Sequence, residues 1–67
     1  MLEAIDQKER IYLVIEYDEN VGYYLYVYPI DSDNAIADHL CDNLEEAFIE
    51  AEKIYHITRD KFHNKLS

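Results

Sequence analysis

Residues 11–29 of this 67-residue chain read IYLVIEYDENVGYYLYVYP and contain the strongest strand pattern in the sequence. Both arms of this stretch are rich in β-branched and aromatic residues, which favour strands. Between the arms lie Asp18, Asn20 and Gly22, residue types that are typical of a turn. The stretch therefore predicts a β-hairpin. Pro29 ends the second arm or marks an edge, because proline has no N–H to donate to a neighbouring strand.

The register of this hairpin decides which side chains share a face. If Tyr17 pairs with Tyr23 across a five-residue loop, the alternation of side chains separates two faces. One face is aliphatic and carries Leu13, Ile15, Leu25 and Val27. The other, which we call the tyrosine face, carries Tyr12, Val14, Glu16, Tyr24, Tyr26 and Tyr28. A three-residue loop would keep this parity, whereas an even loop or a bulge would mix the faces.

The segment after the hairpin predicts a connector and a short strand. IDSDN, residues 30–34, is polar and rich in turn formers. AIADHL, residues 35–40, predicts a third strand with Ile36 and Leu40 on the core side. Asp38 lies between them and would point to the same side of the strand. Because a carboxylate is costly in a core, we expect Asp38 at a margin of the sheet.

The stretch DNLEEAFIEAEKIYHI, residues 42–57, predicts a helix over residues 43–56. Asn43 is a good N-cap with Glu46 three residues on, as in a capping box, and Asp42 with Glu45 is the competing register. An apolar stripe recurs at helical spacing: Leu44, Ala47, Phe48, Ala51, Ile54 and Tyr55.

The two ends of the chain have weaker patterns. Leu2 and Ile5 suit one apolar edge of a short helical turn, and we expect residues 1–9 to fray. After the helix, Thr58 suits the cap of a second short helix with Phe62 against the core, or the segment is a tail. We expect residues 60–67 to fray as well.

These elements predict one small α+β domain over residues 1–67. The hairpin 11–28 and the strand 35–40 form a three-stranded antiparallel sheet, and the helix 43–56 packs on its aliphatic face. One helix covers one face. The tyrosine face is then left without a covering element, except for the N-terminal turn or the C-terminal tail.

The charge is strongly acidic, with a formal net value of −9. Residues 11–52 contain eleven Asp and Glu and neither Lys nor Arg. This disfavours nucleic acid and anionic membrane as partners, because phosphate contacts need Lys and Arg. It favours a basic partner protein, and the alternative is a solvated surface that keeps a small protein soluble. The predicted acidic surface includes Asp31, Asp33, Asp38, Glu45, Glu46 and Glu50.

The length and the cysteine content limit which classes of protein this chain can belong to. Cys41 is the single cysteine, so no internal disulfide is available, and this fits a reducing compartment. No long apolar run and no basic segment ahead of an apolar one is present in the sequence. We therefore predict a cytoplasmic protein. A chain this short buries only about 60% of its unfolded surface, so we expect a homodimer or an obligate partner.

No group of residues in the sequence predicts an active site, a metal site or a site for another cofactor. His39 and Cys41 would share a strand face, but a zinc site needs three or four ligands, and nothing fixes His56 or His63 beside them. As a nucleophilic pair they lack an oxyanion element and an orienting group. We therefore predict that the chain is not an enzyme. A small metal-binding protein or enzyme that uses His39 and Cys41 is kept as an alternative.

The tyrosine face admits three functional interpretations. It is a dimer interface, a partner-binding patch of the kind in which Tyr is enriched, or a platform for stacking bases. The third needs a basic groove, which residues 11–52 do not offer. The remaining alternative is that tyrosines merely suit a half-exposed strand, which explains one or two of them but not a row of four.

The stretches YLVIEYDENVGYYLYVYP, residues 12–29, and DNLEEAFIEAEKIY, residues 42–55, resemble the small HicB-like antitoxin domain. The resemblance covers about residues 11–56. It departs from the family at residues 30–35, where IDSDNA replaces a Pro/Gly-rich segment. It implies a ββ(β)α fold, association through the sheet and neutralisation of a basic toxin. Small acidic immunity proteins and phage-encoded inhibitors of host defence have the same size and charge.

Overall fold

The hairpin lies at the centre of an antiparallel sheet in the computed structural model, which describes residues 1–65. Within that range the sheet has five strands in the spatial order β4-β3-β2-β1-β5. The elements in chain order are β1 (Leu2–Asp6), β2 (Ile11–Asp18), β3 (Gly22–Pro29), β4 (Ala37–Cys41), α1 (Leu44–Tyr55), a 3₁₀ turn (Arg59–Lys61) and β5 (His63–Asn64). The predicted α+β class is confirmed, but the predicted three-stranded sheet is too small.

The register of β2 against β3 is the one that the sequence predicts. Tyr17 lies opposite Tyr23, and the pairing continues without a bulge to Ile11 and Pro29. Asp18 also pairs with Gly22, so the loop has three residues and the parity of the two faces is kept. Gly22 adopts a φ of +118°, and a Cβ there would lie 2.7 Å from the Cys41 carbonyl oxygen. Glycine is therefore required at this corner.

The prediction of a helical turn at the N-terminus is wrong. Residues 2–6 instead form the strand β1, which pairs with β2. Leu2 lies opposite Ile15 and Ala4 opposite Leu13, so both face the core, while Ile5 points to the other side. A helical turn would have put Leu2 and Ile5 on one edge. The open edge of β2 offers hydrogen-bond partners that a one-turn helix could not match, since short helices without tertiary support are marginal.

The strand β4 overlaps the predicted strand 35–40 and extends it to Cys41, but its inward face is the reverse of the prediction. Ala37 and His39 lie opposite Val27 and Leu25, so the odd-numbered residues face the helix. Ile36 and Leu40 are each 64% exposed. Pattern alone could not decide the parity of so short a strand. The observed parity keeps the Asp38 carboxylate in water, where burial does not penalise its charge.

The helix confirms the predicted segment, with Asn43 as its N-cap. The Asn43 Oδ1 accepts a hydrogen bond of 2.8 Å from the Glu46 N–H, so the competing Asp42 register is not used. His56 ends the helix in a left-handed conformation with a φ of 60°. Within the predicted stripe Ala47 and Ala51 are fully buried. Ile54 departs from it, at 43% exposed.

The core lies between α1 and one side of the sheet. Its buried members are Ala4, Leu13, Ile15, Leu25, Val27, Cys41, Ala47, Ala51 and Ile57. Phe62 packs against this core, as one of the two sequence alternatives predicts, and meets Phe48 edge to face at 5.4 Å. Two residues of β5 then pair with β1. Fraying of residues 1–9 and 60–67 stays a prediction, and residues 66–67 lie outside the described range.

Candidate functional site

The tyrosine face lies on the side of the sheet opposite α1. Its six residues come from the central strands and form three directly opposed pairs. The pairs are Tyr12 with Tyr28, Val14 with Tyr26, and Glu16 with Tyr24. Side chains that are directly opposite on neighbouring antiparallel strands share one face. All six predicted contact residues are therefore brought together, and no helix within residues 1–65 covers them.

The four tyrosine rings form a continuous row. Tyr12 stacks on Tyr28 with ring centroids 4.8 Å apart, and Tyr24 stacks on Tyr26 at 5.3 Å. Tyr26 and Tyr28 join the two stacks at 6.3 Å. Stacked rings restrain each other's rotamers, so this surface is ordered before any partner arrives.

The neighbouring strands widen this side of the sheet. Two residues of β1 take part: Glu3 lies opposite Val14, and Ile5 lies opposite Tyr12. On β4, Asp38 lies opposite Tyr26 and Leu40 opposite Tyr24. The contribution of β1 was not predicted from the sequence, because a helical turn was expected there. A period-two pattern, with Leu2 and Ala4 facing inward, was the available signal.

Two carboxylates flank the Tyr24–Tyr26 end of the row. Glu16 lies opposite Tyr24, and Asp38 lies opposite Tyr26 on the other neighbouring strand. Neither carboxylate takes part in a salt bridge within residues 1–65. The pKa of the Tyr26 hydroxyl is raised by burial first and by the nearby Glu16 charge second, with a further contribution from Asp38. Tyr26 therefore stays a neutral phenol at physiological pH.

The Tyr12 end of the row has a different electrostatic setting. Glu3 pairs there with Lys65, at 3.3 Å from Oε2 to Nζ, and lies 4.0 Å from His63 Nε2. The Lys65 Nζ lies 5.9 Å from the Tyr12 ring centroid. Tyr12 donates its hydroxyl proton to the Ser32 carbonyl oxygen at 3.3 Å. Burial raises the Tyr12 pKa, and the Lys65 charge acts in the opposite direction.

The predicted acidic residues do not form one surface. Asp33 borders the Tyr12 end of the row, and Asp31 pairs with Arg10 at 3.9 Å in an exposed position. Asp38 lies on the open side, as described above. The other three, Glu45, Glu46 and Glu50, belong to α1 on the opposite side of the sheet. The acids nearest the tyrosines are thus Glu3, Glu16, Asp33 and Asp38. Of these four, Glu3 was not predicted at the site.

The His39 and Cys41 side chains lie on the helix side of β4. The His39 Nε2 is engaged by the Tyr55 hydroxyl at 2.8 Å. The Cys41 thiol is buried and donates weakly to the His39 carbonyl oxygen at 3.9 Å. Burial, with Glu46 as the next cause, raises the thiol pKa, which disfavours the nucleophilic thiolate. Within residues 1–65 no group of three or more His, Cys, Asp or Glu side chains is placed to hold a metal ion.

One further groove runs between the C-terminal end of α1 and the β1–β2 turn. Apolar side chains of Ile36, Ile54 and Tyr55 form one part of its lining, and Lys8 and Glu9 form another. Asp6 also lines this groove, so two carboxylates face one lysine and the lining carries a small net negative charge. The tyrosine face is the more distinctive surface, because it combines stacked rings with two carboxylates, Glu16 and Asp38, that form no salt bridge in the described part of the chain.

Comparisons of this chain with protein-family models, with curated proteins and with solved structures find no match.

Proposed function

We propose that this chain is an acidic protein-binding module that neutralises a basic protein partner, as antitoxins, immunity proteins and phage anti-defence proteins do. The tyrosine face is its contact surface. The observation that carries the proposal is a row of four half-buried tyrosines that no helix within residues 1–65 covers. Two carboxylates lie beside the row, Glu16 and Asp38, and neither has an ion-pair partner within the same range.

The tyrosine row suits a protein contact for two physical reasons. Tyrosine combines a large apolar ring with a hydroxyl that hydrogen-bonds, and it is enriched among the residues that dominate binding energy. The stacked rings are also held in place before binding, so less side-chain entropy is lost when a partner docks. An apolar patch of this kind on a small protein is typical of an interaction site.

The charge supports a basic partner. A chain with a net charge of −9 attracts a positively charged protein over a distance set by the ionic strength, and this attraction speeds encounter. Glu16 and Asp38 then supply local complementarity within the contact itself. Binding should therefore weaken as salt is raised. The same charges disfavour nucleic acid and anionic membrane as partners.

The proposed action is occlusion of the partner's working surface, without a reaction or a cofactor of its own. The chain acts in the cytoplasm on this proposal. No helix within residues 1–65 is long and apolar enough to cross a membrane.

The test is affinity capture from a lysate of the source cells at low salt. The baits are the wild type, a Tyr24→Ser/Tyr26→Ser variant and a Glu46→Gln/Glu50→Gln control on the helix side. We expect the wild type and the control to recover the same basic protein, the face variant to lose it, and added salt to release it. Capture that survives the face variant would contradict the proposal, provided that circular dichroism shows the variant folded.

A second candidate is a structural homodimer in which the tyrosine face is buried on its own copy. Exposed apolar side chains beside the row, Ile5 and Leu40, favour it because they would enlarge such an interface. The effect of salt separates the two candidates. Salt should strengthen association between two acidic copies, whereas it should weaken binding to a basic partner.

Sedimentation equilibrium of the wild type and of Tyr26→Asp decides between these states. A self-buried face predicts a dimer that the substitution splits into monomers. A free face predicts a monomeric mass for both proteins at high concentration.

A further inference from the structure

One end of the open side of the sheet already holds a cation from the chain itself. The Lys65 Nζ lies over the Tyr12 ring, 5.9 Å from its centroid, and pairs with Glu3 at 3.3 Å. A tyrosine ring and a carboxylate thus act together on one ammonium group. This is the geometry in which the negative face of an aromatic ring attracts a cation.

The other end of the row repeats these components without a cation from residues 1–65. Tyr24 and Tyr26 present two stacked rings, with 15° between their planes. Glu16 lies opposite Tyr24 on one neighbouring strand, and Asp38 lies opposite Tyr26 on the other. The stack is therefore flanked by one carboxylate on each side.

Resting on the function proposed above, we propose that this end receives an arginine side chain of the basic partner. Its guanidinium lies against the Tyr24–Tyr26 stack and donates hydrogen bonds to Glu16 or Asp38. The stem of the arginine packs along Leu40, which lies opposite Tyr24 and is 64% exposed.

Arginine fits this end better than lysine does. The guanidinium is planar, so it stacks on an aromatic ring, and it is less strongly hydrated than an ammonium, so less free energy is lost when water is removed. It also presents several N–H donors in a fixed fork that matches a carboxylate. A lysine can supply the charge but neither the stacking nor the paired hydrogen bonds.

The experiment measures binding of two short synthetic peptides by isothermal titration calorimetry at low salt. One peptide alternates threonine with arginine, and the other alternates threonine with lysine, so both have the same length and charge. We expect the arginine peptide to bind the wild type about fivefold more tightly, as a cation–π and stacking gain of ordinary size implies.

Matched variants locate that preference. Tyr26→Leu removes the ring and should bring the ratio of the two affinities close to one. Tyr26→Phe keeps the ring and should keep the ratio. Glu16→Gln/Asp38→Asn should reduce the ratio, whereas Glu46→Gln/Glu50→Gln changes the net charge equally on the helix side and should weaken both peptides alike.

Several outcomes would overturn the inference: equal affinities for the wild type, no binding of the arginine peptide, or a preference that survives Tyr26→Leu. If the wild type bound both peptides equally and Tyr26→Leu bound neither, arginine would not be the recognised group. A basic partner on the tyrosine face would still be supported. Binding of both peptides that no tyrosine-face variant alters would contradict the inference and the proposed function together.

Discussion

Val14 and Tyr26 are direct cross-strand partners, and Val14 is only 4% exposed although no helix within residues 1–65 lies on that side of the sheet. Tyr26 and Glu3 lie directly opposite Val14 on its two sides, so side chains of this face, the tyrosine rings among them, take the place of a second covering layer. The row both buries part of its own strand and presents its outer surface to a partner. This double role links the stability of the sheet to the site.

The shielding of Val14 can be measured directly. Val14→Ala should lower the free energy of unfolding by about 1–3 kcal/mol, because it removes two methyl groups from a closely packed position. Ile49→Ala is the control, since Ile49 is 54% exposed on α1 and its loss should change stability by less than about 0.5 kcal/mol. Equal effects of the two substitutions in urea denaturation would show that the rings do not bury Val14.

The corner at Gly22 fixes the parity on which the site depends. Gly22→Ala should destabilise the protein by about 1–3 kcal/mol, because the residue has a φ of +118° and the new Cβ would press on the Cys41 carbonyl oxygen. Glu19→Ala changes an exposed residue of the same loop and should be nearly neutral. A Gly22→Ala variant as stable as Glu19→Ala would argue against this hairpin geometry.

The N-cap of α1 offers a test of the helix register. Asn43→Ala removes the acceptor of the Glu46 N–H and should cost about 1 kcal/mol. Asp42→Ala, which alters the competing cap position, should cost clearly less. Thermal unfolding followed by circular dichroism compares the two, and a larger effect at Asp42 would place the cap one residue earlier.

Stability should fall in alkaline solution, because one thiol and three phenol groups hold their protons more tightly in the folded state than in the unfolded chain. The pKa of Cys41 is raised above its ordinary value of 9.0, and those of Tyr12, Tyr26 and Tyr55 are raised above 10.0, in each case chiefly by burial. The unfolded chain releases these protons at lower pH, so its free energy falls first as pH rises. The contribution of these four groups to the free energy of unfolding is therefore complete below pH 9. It is lost as the pH rises through the pKa values that the groups have in the folded protein.

Urea denaturation at a series of pH values measures this loss. Cys41→Ala should remove the part of the decline that begins near pH 9 and leave the part above pH 10 that the tyrosines cause. A wild-type profile that rises above pH 9, or a variant profile with an unchanged slope, would contradict the assignment.

The centre of this fold was predictable from sequence because local and long-range signals agree there. Side chains alternate regularly on β2 and β3, and an odd loop with Gly22 preserves the parity, so the tyrosine face follows from the hairpin alone. The capped amphipathic helix was predictable for a similar reason, since Asn43 and the apolar stripe indicate the same start.

The edges of the sheet were not predictable in the same way. The strand β1 competes with a helical turn over five residues, β5 has only two residues, and the parity of β4 depends on its pairing with β3. The cation arrangement of Glu3 and Lys65 exists only because β1 lies beside β2 and the chain end returns to β1. No local pattern encodes such a contact.

Site-specific photocrosslinking is the sharpest test that the tyrosine face contacts a basic protein, because it reports both the contact surface and the identity of what touches it. The probe is p-benzoylphenylalanine at Tyr24, with the same group at Ile49 on α1 as the control, each irradiated in a lysate of the source cells. We expect a crosslink to a basic protein from position 24 and none from position 49. A crosslink only from position 49, or only between copies of this chain, would contradict it.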